Sequence, residues 1–350
     1  MRLLVIRTSA MGDVALAVPV IKGMREQFPD IELVLLTRPA FAPFFQSIEG
    51  VTLIYPDLGE RHKGFFGIFR LYSDIKKEGS IDYVVDLHDV LRSKMIRALF
   101  RLSGVKSAVI DKGRKEKRNV ISGKIRTQIK HSVERYCDTF AAAGFKVEPS
   151  AGPWIIPAED TVARVSTMVS NHGKLNIGVA PYAKHALKVW PEEKMAKLME
   201  LIAAKNSVTF WLFGGLEDSE KLEKLQSVVK DSHNLAGKLT LEEELAQMSR
   251  LDLMIAMDSS NMHMAALAGT RVVSIWGGTD PITGFGAWMQ PLMYSVRIQS
   301  EELPCRPCTV YGKGECKRND FACMNRLTPE MVLSRIEKTL AGKNLNLKKY

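Results

Sequence analysis

The sequence predicts an α/β fold of two Rossmann-like domains whose parallel sheets face a central cleft. Three observations carry this. The chain has 350 residues, 46% of them hydrophobic, and single cores stop growing near roughly 250–300 residues. Short β-branched runs alternate with amphipathic helical stretches, the pattern of parallel strands joined by helices. That alternation comes in two series, parted near residues 144–174 by a segment with three prolines between 149 and 157, which suits an irregular linker.

In the first series, strands are expected at 3–6, 32–36, 52–54, 83–86 and 107–110, with helices at 14–27 and 91–102 among the connections. In the second, strands are expected at 176–180, 208–213, 233–234, 253–256 and 272–276, and helices at 192–204, 219–230, 241–249 and 261–268. The first domain is therefore drawn over 1–160 and the second over 161–326. Residues 327–350 form a final helix, at 329–340, and a tail, expected to pack back onto the first domain.

Composition excludes several classes. Aromatics at 8% and charged residues at 25% fit a globular protein. The apolar run at 3–6 falls short of the roughly 7–15 residues of a secretory core, and no apolar stretch approaches the ~20 residues of a membrane helix. A cytoplasmic chain is the expectation. The net charge is +10, and residues 111–135 hold nine basic against three acidic residues. That segment reads either as a solvated face or as a patch for an anionic partner. No nucleic-acid motif accompanies it, so lipid phosphate is preferred to nucleic acid as the partner.

Ligands of open parallel sheets bind beyond the carboxyl ends of strands, which directs attention to the loops after Ile6, Asp86, Ala180, Phe213 and Ala256. In the first, Gly12 permits a tight turn and Asp13 opens a helix, either as its cap or as a base facing the cleft. Neither the dinucleotide glycine fingerprint nor a Walker loop is present, which disfavours a nicotinamide dehydrogenase. Lys184, His185 and Lys188 lie between a strand and a helix, where cations suit a diphosphate or are simply solvated. Gly214 and Gly215 allow close backbone approach to a ligand, and Glu217 is placed to accept from ribose hydroxyls or to cap a helix. Asp258 ends a strand, and Ser259, Ser260 and Asn261 open a helix whose first amides are free for a phosphate. His263 follows on a mostly apolar face, where a satisfied core histidine is the commoner outcome.

Strings across the chain then acquire a joint meaning. RTSAMGDVALAVPV from Arg7, DLHDVLRS from Asp86, HSVERY from His131, KVWP from Lys188, FGG from Phe213, MDSSNMHMAALAG from Met257 and VSIWGGTDP from Val273 together resemble the bacterial lipopolysaccharide heptosyltransferases, glycosyltransferase family 9. The resemblance implies a GT-B architecture, with an N-terminal acceptor domain and a C-terminal donor domain. It implies an ADP-heptose donor, inversion at the anomeric carbon, no metal or other cofactor for catalysis, and an anionic glycolipid acceptor, the lipopolysaccharide inner core. That acceptor would bring the enzyme into peripheral contact with the inner face of the cytoplasmic membrane.

Carried over by position, Asp13 is the base and Lys188 contacts the donor diphosphate. Glu217 lies near the ribose, Leu239 packs on adenine, and Asp258, Ser259 and His263 belong to the donor-binding helix start. Arg126, Lys130, His131 and Arg135 are candidates for acceptor phosphates or carboxylates, His131 and Arg135 through the HSVERY string. Two departures bear on donor identity: Ser260 stands where the family usually has glycine, and Ala183 and Lys184 stand where it has a hydroxyl pair. The alternatives are a sugar-nucleotide epimerase of the same fold, a glycosyltransferase using another nucleotide sugar, and a binding module without catalysis. Cys305, Cys308, Cys316 and Cys323 are spaced C-x2-C-x7-C-x6-C, which fits either a structural zinc site or reduced, partly buried thiols. A cytosolic setting argues against disulfides.

Overall fold

All ten strands predicted from the alternation are present in the computed structural model, which describes residues 1–168 and 173–342. They form two parallel sheets. The first sheet comprises β1 (Arg2–Ile6), β2 (Glu32–Leu36), β3 (Val51–Ile54), β4 (Tyr83–Asp86) and β5 (Lys106–Val109), in the order β3-β2-β1-β4-β5. Its central strand reads RLLVI and is buried from Leu3 to Ile6. A parallel strand covered on both faces has no polar alternation.

Helices α1 (Met11–Ala15), α2 (Val18–Gln27), α3 (Gly64–Lys77) and α4 (Leu91–Leu102) accompany this sheet. The next helix, α5 (Arg114–Ile121), groups with the second unit, and α6 (Ser132–Ala142) returns to the first. The single helix expected over 14–27 is divided. Pro19 sits in the first turn of α2, where its missing N–H cannot continue the hydrogen bonding of α1.

The second unit carries α7 (Glu159–Met168), β6 (Leu175–Ala180), α8 (Glu192–Ala203), β7 (Val208–Leu212), α9 (Ser219–Val228), β8 (Ser232–Asn234), α10 (Leu241–Ser249), β9 (Leu253–Met257), α11 (Ser260–Leu267), β10 (Val272–Ile275), β11 (Ser295–Val296), α12 (Ala322–Asn325) and α13 (Pro329–Ala341). Its sheet order is β11-β10-β9-β6-β7-β8, again parallel. The core beneath it gathers Ile177, Phe210, Leu253, Ile255 and Val273 with Met195, Leu198 and Ile202 of α8.

Two boundaries differ from those read in the sequence. By contact, the first unit is Met1–Lys112 with Ser132–Ile155, and the second is Gly113–His131 with the chain from Ile156 onward. The basic segment thus changes unit. Val120 and Ile129 pack with Ile282, and the Ile129 amide donates to the Ile282 carbonyl at 3.0 Å. The last helix belongs to the second unit. Val332, Leu333 and Ile336 of α13 join the second unit's core, and Arg271 donates to the Thr339 carbonyl at 2.9 Å. The final eight residues of the expected tail lie outside the described residues.

Candidate active site

In the first unit, functional side chains collect where β1 and β4 end. Arg7 continues β1 and is buried; its guanidinium pairs with the Asp13 carboxylate at 2.8 Å and donates to the Leu87 carbonyl. Tyr136 of α6 donates its hydroxyl to the Asp13 carbonyl at 3.0 Å, and Arg7 lies 5.6 Å from the centre of the Tyr136 ring. Asp13 is thereby fixed through both its carboxylate and its backbone, with its side chain only partly covered.

The turn after β4 is built from within. Asp86 accepts from the amides of His88 and Asp89, both at 2.9 Å, and from Arg97 of α4 at 3.3 Å. That turn carries the buried His88 imidazole to the β1 loop, where Nδ1 lies 3.2 Å from the Thr8 hydroxyl and Nε2 lies 3.0 Å from the Ser9 hydroxyl. Burial, with Arg7 and Lys112 nearby, lowers the His88 pKa to about 4. The ring is neutral at physiological pH, so one nitrogen donates and the other accepts, a match for two hydroxyls.

In the second unit, Lys188 ends a short 3-10 turn over Ala186–Lys188 beyond β6. Its ammonium meets the Asp258 carboxylate at 2.8 Å. Asp258 follows β9 and leads into α11, where Ser259 holds the N-cap position with extended backbone and makes no capping bond. The Ser259 hydroxyl is buried and finds no hydrogen-bond partner among the described residues. A helix start with unpaired amides, an unengaged hydroxyl and a lysine beside it has the chemistry of an anion site.

The turn bearing Lys188 is held from the WGG loop after β10. The Gly278 amide donates to the Leu187 carbonyl at 2.8 Å. A Cβ on Gly277 would come within 2.7 Å of that same carbonyl oxygen, so only glycine allows this approach. The loop is in turn pinned by Arg306, which is buried and donates to the carbonyls of Gly277 and Thr279 at 2.5 and 2.8 Å.

The remaining candidates divide by exposure. Ala183 is half-buried and Lys184 exposed, ahead of the Lys188 turn. Glu217 is exposed in a turn over Leu216–Asp218 after β7. Leu239 is half-buried, just before Thr240, whose hydroxyl accepts from the Glu243 amide at 3.3 Å and caps α10. Ser260 is half-buried at the start of α11, and His263 is buried in that helix.

Of the basic candidates, Arg126 and Lys130 are exposed, and Arg126 donates to the Arg306 carbonyl at 2.7 Å. His131 and Arg135 are buried. The His131 Nε2 donates to the Gly286 carbonyl at 3.0 Å and its ring lies 4.8 Å from that of Trp288. Burial pushes its pKa to about 4, so it offers no positive charge at neutral pH.

The zinc site is not formed. Among the described residues no group of three or more His, Cys, Asp or Glu side chains could hold a metal ion. All five cysteines are free. Cys323 is buried, which raises its thiol to about 11, and the Cys308 thiol donates to the Gly278 carbonyl at 3.5 Å. Protonated thiols of this kind are poor zinc ligands.

Sequence reading missed Arg7, His88 and Arg306. The first two had a signal: each closely follows the carboxyl end of a strand lying side by side with the other's. Arg306 had none beyond its place in the cysteine-rich segment.

The family model "Glycosyltransferase family 9 (heptosyltransferase)" matches residues 68–317. The chain belongs to glycosyltransferase family 9. A curated relative, "Lipopolysaccharide core heptosyltransferase OpsX" of Haemophilus influenzae, is 25% identical over 80% of this chain and 80% of its own. Among solved structures, a family 9 glycosyl transferase from Veillonella parvula shares the fold with a TM-score of 0.78 at 19% identity, over 98% of both chains. The E. coli heptosyltransferase WaaC with ADP gives a TM-score of 0.67 at 19% identity, over 97% of this chain and 100% of that one. This family 9 member is a glycosyltransferase with two parallel-sheet α/β domains, and no helix among its described residues is long and apolar enough to cross a membrane.

Proposed function

We propose that this chain moves heptose from ADP-heptose onto a hydroxyl of the lipopolysaccharide inner core, inverting the anomeric carbon without a catalytic metal. The observation that carries the reading is the Lys188–Asp258 pair beside the open start of α11. It is a built anion site with protein donors for a leaving diphosphate. Family membership and the similarity to the Haemophilus lipopolysaccharide core heptosyltransferase support heptose and lipopolysaccharide; the ADP in the E. coli structure supports the nucleotide.

In this mechanism a bond forms between the acceptor oxygen and the anomeric carbon as the bond from that carbon to the diphosphate oxygen breaks. The hydroxyl proton passes to the Asp13 carboxylate, which the Arg7 guanidinium holds in place at 2.8 Å. Lys188, Ser259 and the first amides of α11 meet the charge growing on departing ADP. Ala183, Lys184 and Ser260 border the diphosphate and sugar, Glu217 takes the ribose and Leu239 the adenine. Asp258 and His263 hold the donor site's shape. Arg126 and Lys130, exposed as they are, take acceptor anions, while the buried His131 donates to the Gly286 carbonyl and supports the segment that carries them. The enzyme works in the cytoplasm, in peripheral contact with the membrane that carries the acceptor.

The test is a panel of ADP-, UDP-, GDP- and CMP-sugars, read by thermal shift and by nucleotide release. ADP-heptose should stabilise the protein, and ADP should appear only when acceptor is added. Sugar isomerisation without acceptor would favour the epimerase, and stabilisation confined to another nucleotide would overturn the donor.

A further inference from the structure

Helix α3 shows an unusual face. Gly67, Ile68, Leu71 and Ile75 are buried, and Ile68, Leu71 and Ile75 pack in the first unit's core with Ile96 and Phe100. The opposite side of its first two turns carries Phe65, Phe66 and Phe69, which are 60%, 77% and 43% exposed. The rings touch edge-on, with Phe65 lying 5.7 Å from Phe66 and 5.2 Å from Phe69. Single exposed apolar residues are commonplace, but a contiguous aromatic cluster calls for a partner.

The rim of this cluster is cationic. From Arg61 to Ser73 the sequence holds Arg61, Lys63 and Arg70 and no acid. Two carboxylates bound this stretch in sequence: Glu60 is exposed, and Asp74 is engaged by Arg61 at 2.7 Å, His62 at 3.1 Å and Lys77 at 3.5 Å. The turn leading into the helix is also built, with Asp57 accepting from the amides of Gly59, Glu60 and Arg61 at 3.1–3.2 Å. The phenyl rings are therefore presented on a fixed support.

We propose that the N-terminal half of α3 is the membrane-docking surface of this enzyme, with Phe65, Phe66 and Phe69 entering the interface and Lys63 and Arg70 pairing with anionic headgroups. Aromatic side chains beside lysine and arginine are the combination that binds a bilayer surface. A second copy of the chain is a poorer occupant, because two such faces would bring like charges together. The inference takes from the proposed function only that the acceptor is carried on a lipid. It moves the expected membrane contact from the basic segment over 111–135 to this helix.

The experiment is cosedimentation of the full chain with phosphatidylcholine vesicles, with and without phosphatidylglycerol, in the absence of donor and acceptor. Wild type should bind the anionic vesicles and be released by salt. The triple variant Phe65→Ser, Phe66→Ser, Phe69→Ser should bind about tenfold more weakly or worse. Lys63→Gln and Arg70→Gln should each weaken binding about fivefold on anionic vesicles and little on neutral ones. All positions are exposed, and a thermal melt checks that the variants fold. Transfer to a delipidated, water-soluble acceptor should survive the triple variant, which separates docking from chemistry. Undiminished vesicle binding by the triple variant would overturn the proposal, as would wild type ignoring anionic vesicles. Concentration-dependent dimerisation that the triple variant abolishes would assign the face to a second copy instead.

Discussion

The two units hold their candidate catalytic groups in inverse ways. In the first, a carboxylate that is 31% exposed, Asp13, is steadied by a guanidinium that is 7% exposed, Arg7. In the second, an ammonium that is 15% exposed, Lys188, is steadied by a carboxylate that is 7% exposed, Asp258. In each pair the more open member carries the charge its proposed role requires: negative to take a proton, positive to meet a diphosphate. The covered partner orients it. Removing the open member leaves the covered one unpaired, and a buried unpaired charge is costly. The difference lies in shielding, since the Lys188 pair is the drier of the two and should be the more sensitive.

That contrast can be broken by exchanging function against stability. Asp13→Asn keeps the shape of the side chain and removes the base. Turnover should fall about 100- to 10,000-fold, the usual contribution of a general base, with ADP affinity nearly unchanged. Lys188→Ala should lower turnover and weaken ADP binding. It should also cost about 2–4 kcal/mol of stability, because Asp258 is left without its cation. Asp13→Asn, at a wetter pair, should cost less than half of that. Steady-state kinetics, nucleotide titration and denaturant melts of the two variants measure all of these. Equal stability losses would remove the asymmetry, and near-normal turnover in Asp13→Asn would remove the base.

Much of this was legible from sequence because parallel strands are continuous apolar runs. RLLVI and LMIAM allow few readings, and ligand loops follow from the strand ends. Asp13, Lys188 and Asp258 were visible for that reason. The support behind them was not. Arg7 and His88 act through pairing that depends on β1 lying beside β4, a fact of topology that no local pattern encodes. The basic segment was only partly legible for a related reason. Charge counts cannot distinguish the exposed Arg126 from the buried Arg135, nor foresee that Ile129 would tie the segment to Ile282. Helix α3 escaped notice because its apolar residues occur all round, and the exposed ones obscure the period of the buried ones.

Acidity sharpens the comparison further, because the two units carry titrating groups of opposite sign. His88 is held neutral down to about 4, below the unfolded value of roughly 6.5. Its depressed pKa means that stability is complete above ~6.5 and declines as pH falls toward 4. Glu244 in α10 is raised to about 7 by burial, against an unfolded value of roughly 4.3. Its contribution is therefore favourable in acid and declines as pH rises from ~4.3 to 7. Between pH 5 and 7 the effects oppose each other. His88→Gln should reduce the gain in stability from pH 5 to pH 7 by ~2 kcal/mol, and Glu244→Gln should increase that gain by a similar amount. Denaturant unfolding at the two pH values reads both signs, and a shift in the same direction for both variants would refute the burial argument.

The smallest expected effect tests whether the second unit's ligand loops are rigid in their own right. Thr240 and Glu243 form a reciprocal cap: the Thr240 hydroxyl accepts from the Glu243 amide at 3.3 Å, and the Glu243 carboxylate accepts from the Thr240 amide at 2.9 Å. These bonds hold Glu243 ionised, its carboxyl lowered from the ordinary value. Leu239, the adenine candidate, is the residue just before the cap. Thr240→Ala should cost about 1 kcal/mol of stability. If Leu239 stacks on the base, freeing its neighbour should also weaken ADP binding a few-fold while leaving turnover at saturating donor unchanged. Such a split would mean that the cap orders the adenine contact without touching the reacting atoms. Loss of stability with no change in ADP affinity would detach Leu239 from the nucleotide, and the donor site would then be defined by Lys188 and the start of α11 alone.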